Sequence, residues 1–392
     1  MASFDRTRLL ADTAAYCDEL RPHEELCYVE HRFNEQVIEL AKKYNLLGIN
    51  IDPKYGGRGA DAVSYFRALV RIGREGTGVR TFYSGHLSIG AYPIQTWGSE
   101  QLKQKYLPKA VTGEAILAFG LTEPDAGSNP REMTSTYEPV DGGFKLSGVK
   151  YLISNGGVAT AIVVFAYPKA EAVERRISAF VVDTKAEGFA AENLTAKMGM
   201  YSSNTAMFEM TDVIVPKENV LGELGDGFRI AMGTLVSGRL SVAAGCLGVI
   251  EDCLAEVLHY GQAREQHGKP IGKHQLVQDH IAAIEMHRFS SDAVLMQGCE
   301  AMQAMKDNPG DKALSANADI LAAKAKFFIT NAAWDAADRA VQVFGGRGWS
   351  TLYRPGRHLM DVRVCRIYEG TDEILKLKIA ASLLGKDYEA FK

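Results

Sequence analysis

Near the end of the chain, Arg366-Ile367-Tyr368-Glu369-Gly370-Thr371-Asp372-Glu373-Ile374 sets one carboxylate between an aromatic and a glycine, just ahead of a helix. A carboxylate so placed can serve as a general base. Gly370 lets the backbone turn at little steric cost, and Thr371 reads as an N-cap. Asp372 and Glu373 then fall on the positive end of the helix LKLKIAASLLG. Glu369 is therefore the candidate catalytic residue. By themselves these nine residues favour one more first-turn acid, and it is the other motifs that reverse the preference. In AFGLTEPDAGSNP (118–130) an apolar strand end runs into Thr122, a rigid Glu123-Pro124 step and the small residues Asp125-Ala126-Gly127-Ser128. Such a loop offers backbone N–H groups and a hydroxyl to an anion or to the polar edge of a flat ring, although the same composition also makes a solvated turn. KYLISNGG (150–157) repeats the form with Ser154, Asn155 and two glycines. Two hydroxyl-bearing strand ends facing a helical bundle point to a flat polar ligand held between domains.

The elements that must position these residues fall into three units: 1–114, 115–225 and 226–392. In the first, FNEQVIELAKKYN and AVSYFRALVRIGREG place apolar residues at helical spacing. Gly57-Arg58-Gly59-Ala60-Asp61-Ala62 imitates a dinucleotide-binding turn, but Asp52-Pro53-Lys54-Tyr55 separates it from the apolar run GINI, so it reads as an inter-helix loop. The middle unit consists of short β-rich runs (AILAFGL, FKLSGVKYLIS, AIVVFAYP, ISAFVVDT, TAMFEMTDVIVP), with Asp141-Gly142-Gly143 as a hairpin turn. From Gly227 the helical period returns in segments 227–265, 271–306, 312–344 and 371–384, with Asn308-Pro309-Gly310 as a break and Gly385 as a C-terminal cap. Four such helices make an antiparallel bundle.

Composition narrows the possibilities. With 392 residues, 46% hydrophobic and 23% charged, the chain is long and apolar enough for a sizeable core, and disorder is excluded. A net charge of -4 without a basic tract argues against a nucleic acid partner. The six cysteines form no CxxC pair and no zinc spacing, so free thiols in a reducing compartment and no metal are expected. Asp5, Arg6, Arg8 and Asp12 argue against a signal or transit peptide, and no uncharged apolar run reaches the ~20 residues of a membrane span. A cytoplasmic location is expected, or the mitochondrial matrix for a mature eukaryotic form.

Taken in order, AFGLTEPDAGS, KYLISNGG, DGFRIAMG, AREQHGKPIGKHQ, AVQVFGGRGW and RIYEGT resemble the acyl-CoA dehydrogenase family of flavoproteins across essentially the whole chain. No single motif is decisive, whereas the ordered set is highly specific. The resemblance implies an N-terminal α-helical domain, a central β-barrel and a C-terminal four-helix bundle. It further implies a dimer or tetramer, with FAD held between the β unit and the bundle and completed by a neighbouring subunit. Carried over, Phe119 to Ser128, including Leu121, Thr122 and Gly127, would line the flavin, with Ser128 also near the acyl-CoA. Ser154 would bond flavin N5, with Leu152 close to the ring. Arg264, His274, Gln275 and Gln342 to Gly346, including Gly345, match contacts to the nucleotide half of FAD. Thr371 and Glu373 would complete the cofactor site, and Arg239 and Gly370 would contact substrate.

There are three departures from the family pattern. Leu152 stands where a Trp is usual, His267 where an aromatic commonly precedes the glycine, and Gly238 where some members carry the base, which leaves Glu369 for that role. The implied reaction removes a proton next to a thioester carbonyl while hydride leaves the next carbon for the flavin. Oxyanion donors and burial of Glu369 make the proton removable, and an electron-transfer flavoprotein would accept the electrons. The rival readings are an acyl-CoA oxidase on the same scaffold and a non-catalytic scaffold that binds another macromolecule.

One charge stands apart. In VRTFYSGHLSIGAYPIQTWG (79–98) Arg80 is the only fully charged residue, so the segment reads as buried and the arginine needs a partner. At helical spacing Arg80, Ser84 and Ser88 share a face, with Thr81 beside them. Arg80, Thr81 and Ser84 stand where glutaryl-CoA dehydrogenases hold the distal carboxylate of their substrate, which implies a dicarboxylic acyl-CoA. A structural pair between Arg80 and an internal acid, with a simple short or medium acyl-CoA as substrate, is the equal alternative.

Overall fold

Apolar residues at three and four spacings form the helices of the first unit, and polar caps set where they begin. In the computed structural model, which describes residues 4–170 and 176–388, these are α1 (Arg6–Val29), α2 (Gln36–Lys43), α3 (Ala62–Gly73), α4 (Thr77–Tyr83), α5 (Tyr92–Trp97) and α6 (Glu100–Thr112). Asp5, Asp61 and Ser99 each accept a hydrogen bond from a first-turn N–H, as N-caps do. The glycine-rich turn at 57–61 is an inter-helix loop, as expected.

Between α4 and α5 the rod continues as a π-helix, Ser84–Ala91. This corrects the polar stripe read from α-helical spacing. π-helical hydrogen bonds reach one residue further, so side chains four apart no longer superpose. Arg80 and Thr81 face Tyr368, while Ser88 bonds the Tyr65 hydroxyl at 2.6 Å.

The middle unit has strands β1 (Leu117–Gly120), β2 (Thr136–Val140), β3 (Gly143–Ser154), β4 (Ala161–Pro168), β5 (Ser178–Asp183), β6 (Phe189–Asn193), β7 (Thr205–Pro216) and β8 (Val220–Leu221). Gly142, at φ 74°, makes the β2–β3 hairpin turn in a conformation that glycine adopts without strain. The expected closed barrel is not found. The strands run β6-β7-β3-β2-β4-β5-β8, with β1 beside β4, and β6 and β8 remain as edges. The physical reason lies at the seam and the edges. β2 and β4 pair only at Thr136–Tyr167 and Tyr137–Pro168, β8 has two residues, and β6 is largely exposed. The halves instead fold over one apolar core that includes Tyr137, Phe144, Ile162, Phe180, Phe208 and Val213.

The last unit contains α7 (Gly227–Ala263), a small hairpin β9 (Glu265–Gln266) and β10 (Lys269–Pro270), α8 (Gln275–Asp307), α9 (Lys312–Phe344), α10 (Arg354–Cys365) and α11 (Asp372–Leu384). α10 escaped the sequence reading because its buried side is polar. Arg354 and His358 both bond Asp252 of α7, and Asp361 accepts from the Tyr28 hydroxyl and the Met200 N–H. α7 and α3 meet at backbone distance, since a Cβ on Gly73 would lie 2.5 Å from the Gly245 carbonyl oxygen.

One buried polar group ties the first unit to the middle one, and a second fixes a loop within the middle unit. His86 accepts from the Leu117 N–H of β1 at Nδ1, which places its proton on Nε2 toward the Leu47 and Ala110 carbonyls, and burial lowers its pKa to about 4. Lys150 of β3 bonds Glu123 at 2.8 Å. Burial alone would raise Glu123, but Lys150, Ser135 and Thr134 hold it down to about 2. Replacing Lys150 by Met leaves Glu123 buried and unpaired. The expected outcome is a loss of about 3–5 kcal/mol in urea unfolding, and an unchanged midpoint would show the pair to be dispensable.

Candidate active site

Glu369 lies between α10 and α11 at φ 57°, followed by Gly370 at φ 98°. A left-handed conformation is unfavourable for a glutamate and must be held from outside. Arg239 of α7 donates from Nε to the Glu369 carbonyl at 3.2 Å, and Lys326 of α9 donates to the Gly370 carbonyl at 2.7 Å. Each anchor is itself fixed, Arg239 by Asp319 at 2.8 Å and Lys326 by its burial close to Asp372. Thr371 caps α11 through the Ile374 N–H, and Asp372 takes Arg366 at 2.8 Å and Asn331 at 3.0 Å. Arg239 is thus buried and holds the loop by its backbone. The sequence reading missed Lys326 and Asp319. The signal for Lys326 was a lysine within the apolar helical run LAAKAKFFIT.

The loop directs the Glu369 side chain against α7. A Cβ at Gly238 would stand 2.4 Å from Glu369 Oε2, so the glycine creates the space that the carboxylate fills. Oε2 is sealed from solvent and has no hydrogen-bond partner among the described residues. Burial pushes the Glu369 pKa up to about 7, against the pull of Arg239, Arg80 and Lys326. The carboxyl is therefore poised to gain or lose a proton near neutrality. The Glu369 N–H also makes no hydrogen bond among the described residues, which leaves a donor beside the carboxylate.

Two turns further along α7, Gly245 packs on the Arg80 guanidinium, with a Cβ there 2.5 Å from Nε. Residues 238 and 245 lie on one face of α7, about 10.5 Å apart along its axis. Arg80 is buried, donates from Nη2 to the Tyr368 hydroxyl and lies over that ring with Cζ 5.8 Å from the centroid. Among the described residues no carboxylate comes within 4.0 Å of it, and Nε is buried without a partner. Thr81 bonds the Thr77 carbonyl at 2.8 Å, and Ser84 is buried on the same rod.

On the β side, Phe119 is buried, Leu121 and Thr122 are half-buried, and Gly127 and Ser128 are exposed. The Thr122 carbonyl accepts from the Tyr151 N–H at 2.9 Å, and the buried Glu123 pins the loop from below. A bulge between Lys150 and Ile153 turns Leu152 outward at φ 59°, leaving this apolar side chain 56% exposed. Ser154 ends β3 half-buried, and Asn155 locks the turn after it to the Phe82 carbonyl at 3.0 Å. An exposed apolar side chain flanked by hydroxyls and a small-residue loop is a surface shaped for a flat, partly polar ring.

The remaining expected residues gather elsewhere. Arg264 follows α7, His274 and Gln275 open α8, and Gln342, Gly345 and Gly346 lie at the end of α9. Stacked Tyr260 and Phe344, 4.2 Å apart, join these ends. His274 is half-buried and the others are exposed, as are Leu276 and Trp349 nearby. Twenty-six residues of α7 separate Gly238 from Arg264, about 39 Å of helix, so one chain does not bring this group to Glu369. Glu373 is exposed on the first turn of α11 and Thr371 is half-buried.

The architecture has counterparts among known proteins. The family models for the acyl-CoA dehydrogenase N-terminal, middle and C-terminal domains match residues 6–114, 118–213 and 225–384. An acyl-CoA dehydrogenase of Bacillus subtilis is 36% identical over 94% of this chain and 94% of its own. A glutaryl-coenzyme A dehydrogenase in complex with glutaryl-CoA superposes with a TM-score of 0.90 at 32% identity, covering 100% of this chain and 98% of that one. A glutaryl-CoA dehydrogenase from Mycobacterium smegmatis in complex with FADH2 gives 0.88 at 28%, covering 100% and 97%. The chain belongs to the acyl-CoA dehydrogenase family, a family of oxidoreductases.

Two measurements test the site as built. Folding lifts Glu369 from its ordinary 4.5 to about 7, so its ionised form is disfavoured in the folded state. That cost is absent below the unfolded value, grows between the two and is complete above the folded value. Glu369→Gln should therefore raise Tm at pH 8.5 and leave it unchanged at pH 4, and an equal shift at both would refute the burial argument. Gly238→Ala forces the carboxylate aside and is expected to slow proton abstraction at least tenfold while the protein stays folded by circular dichroism.

Proposed function

We propose that this protein is an FAD-dependent acyl-CoA dehydrogenase that forms the 2-enoyl thioester from an acyl-CoA carrying a distal carboxylate. The observation that carries the reading is the α7 face on which Gly238 and Gly245 set Glu369 at one end and Arg80, without a carboxylate partner, at the other. A buried guanidinium without an acid is unfavourable until an anion reaches it. A dicarboxylic acyl chain would supply that anion, with Thr81 and Ser84 on the same rod.

Glu369 removes the proton next to the thioester carbonyl, and burial keeps its pKa high enough to accept it. The free Glu369 N–H is placed to donate to the thioester oxygen as negative charge develops, an interaction worth roughly 2.7–4 kcal/mol in comparable sites. Arg239 and Lys326 hold that N–H and the carboxylate in one orientation. FAD, when bound, supplies the hydride acceptor. The outward-facing Leu152, the Thr122 to Ser128 loop and Ser154 fit its ring and chain. The nucleotide contacts expected of Arg264, His274, Gln275, Gln342, Gly345 and Gly346 require a second copy of the chain, because α7 carries them about 39 Å from Gly238. The reading takes the protein as a homo-oligomer with shared cofactor sites and, as the family resemblance implies, an electron-transfer flavoprotein as electron acceptor, in the cytoplasm or, for a mature eukaryotic form, the mitochondrial matrix.

Three outcomes check the reading. The purified protein should be yellow, with one FAD per chain. Glu369→Gln should keep FAD and bind acyl-CoA while anaerobic flavin bleaching slows by several orders of magnitude. Wild type should show a higher kcat/KM for glutaryl-CoA than for an uncharged acyl-CoA of similar length. Arg80→Gln should cost the dicarboxylic substrate about 2–5 kcal/mol and the uncharged one little. A wild-type preference for the uncharged chain would make Arg80, bonded to Tyr368, a structural group and the substrate a simple fatty acyl-CoA.

A further inference from the structure

Arg80 is wholly buried and has no carboxylate partner among the described residues, so its charge has to be met by another acid. A chain of hydrogen bonds leads to one. Arg80 Nη2 donates to the Tyr368 hydroxyl, and that hydroxyl stands 3.2 Å from the sulfur of Cys365, the last residue of α10. The phenol oxygen already accepts from the guanidinium, so its one proton turns to an acceptor, and Thr81 Oγ1, the other in reach, is farther off at 3.5 Å. Cys246 of α7, next to the Gly245 that packs on Arg80, donates its S–H to the same sulfur. Cys365 thus accepts twice. As a thiol its own proton would reach only the Asp361 carbonyl, at 3.9 Å. A buried sulfur that receives two donors close to a guanidinium is built to carry negative charge.

We propose that the Cys365 thiolate is the internal counter-ion of Arg80, acting through Tyr368, and that a substrate carboxylate arriving at Arg80 displaces that charge by returning Cys365 to the thiol. The second half rests on the distal carboxylate proposed above, and the first does not. In the free protein the Cys365 S–H bond breaks and its proton goes to solvent. The same bond forms again when the carboxylate arrives, with a proton drawn from solvent, because two anions facing one buried cation repel. Arg80 Nε, buried without a partner, is the donor left for the newcomer.

The surrounding charges fit this exchange. Cys365 is faced by Cys246 from α7, Arg80 from α4, Tyr368 from the loop after α10 and Lys326 from α9. Burial alone would raise the thiol, but these four bring it down to about 7. Burial raises the Tyr368 phenol well above its ordinary value, so the sulfur and not the phenol ionises. An uncharged acyl chain leaves the thiolate in place, whereas a dicarboxylic one must bring a proton with it. Cys365 is therefore a positioning residue that makes selection at the far end of the pocket depend on pH.

The test uses FAD-loaded Glu369→Gln, which removes the carboxyl whose pKa also lies at about 7. The ultraviolet absorbance of thiolate is followed from pH 5 to pH 9. Burial raises Cys17, Cys27, Cys253 and Cys299, and the bond to Cys365 raises Cys246, so a single step of one thiolate at about 7 is expected. Cys365→Ser should abolish the step, and Arg80→Gln or Tyr368→Phe should move it to higher pH. Glutaryl-CoA and pentanoyl-CoA are then titrated calorimetrically in buffers of different ionisation enthalpy, which counts the protons taken up. Glutaryl-CoA should take up close to one proton more than pentanoyl-CoA at pH 8.5 and no more at pH 6. Relative to pentanoyl-CoA, its Kd should weaken about tenfold per pH unit above the thiol pKa, and Cys365→Ser should remove both differences. The step and the proton count are read in Glu369→Gln itself, so they decide the matter even where a serine variant misfolds. No thiolate step below pH 9, or a step that Arg80→Gln leaves in place, overturns the proposal. A step that depends on Arg80, with equal proton uptake for the two acyl-CoAs, upholds the counter-ion and overturns the distal carboxylate instead.

Discussion

The grip of Arg239 and Lys326 on two consecutive carbonyls, those of Glu369 and Gly370, is the interaction on which the site depends. Holding a glutamate in left-handed backbone is costly, and only contacts outside its own segment can make that conformation persist. The two cations come from different helices of the bundle, so the position of the carboxylate reports how α7 and α9 pack. The same cations face the carboxylate across the loop. They partly offset its desolvation and keep its pKa near 7 instead of higher.

Around this anchor the three units are joined by buried polar groups more than by apolar contact alone. His86 and Asn155 tie the π-helical rod to the β unit, Glu123 and Lys150 fix the loop that carries Thr122, and Asp252 and Asp361 bind α10 to α7, α1 and the β6–β7 connection. Such groups are unfavourable unless fully paired, so they admit few alternative arrangements. Among the buried groups left without a partner, Glu369 Oε2 and Arg80 Nε lie on the α7 face where a ligand is expected.

Much of this was legible in the residues. The helices of the first unit, the run of strands, the Gly142 turn, the Thr371 cap and the break at Asn308-Pro309-Gly310 follow from spacing and backbone preference, which neighbouring residues carry between them. α10 was missed because its buried side is charged, so no apolar period marks it. The π-helix was missed because nothing local distinguishes SGHLSIGA from an α-helical run. The barrel was expected from the family resemblance, yet closure depends on edge pairing, and β6 and β8 do not provide it.

The sequence by itself determined which residue types were available, where the chain turns, and that a carboxylate stands between an aromatic and a glycine ahead of a capped helix. Tertiary structure decided what that carboxylate is. Arg239 lies 130 residues from Glu369, Lys326 lies 44 from Gly370, and Gly238 supplies the space. It also left Arg80, among the described residues, with no carboxylate within 4.0 Å. The physical reason is range. Backbone conformation is set within a few residues, whereas desolvation and charge depend on whatever the fold brings within a few ångströms, which spacing along the chain does not encode.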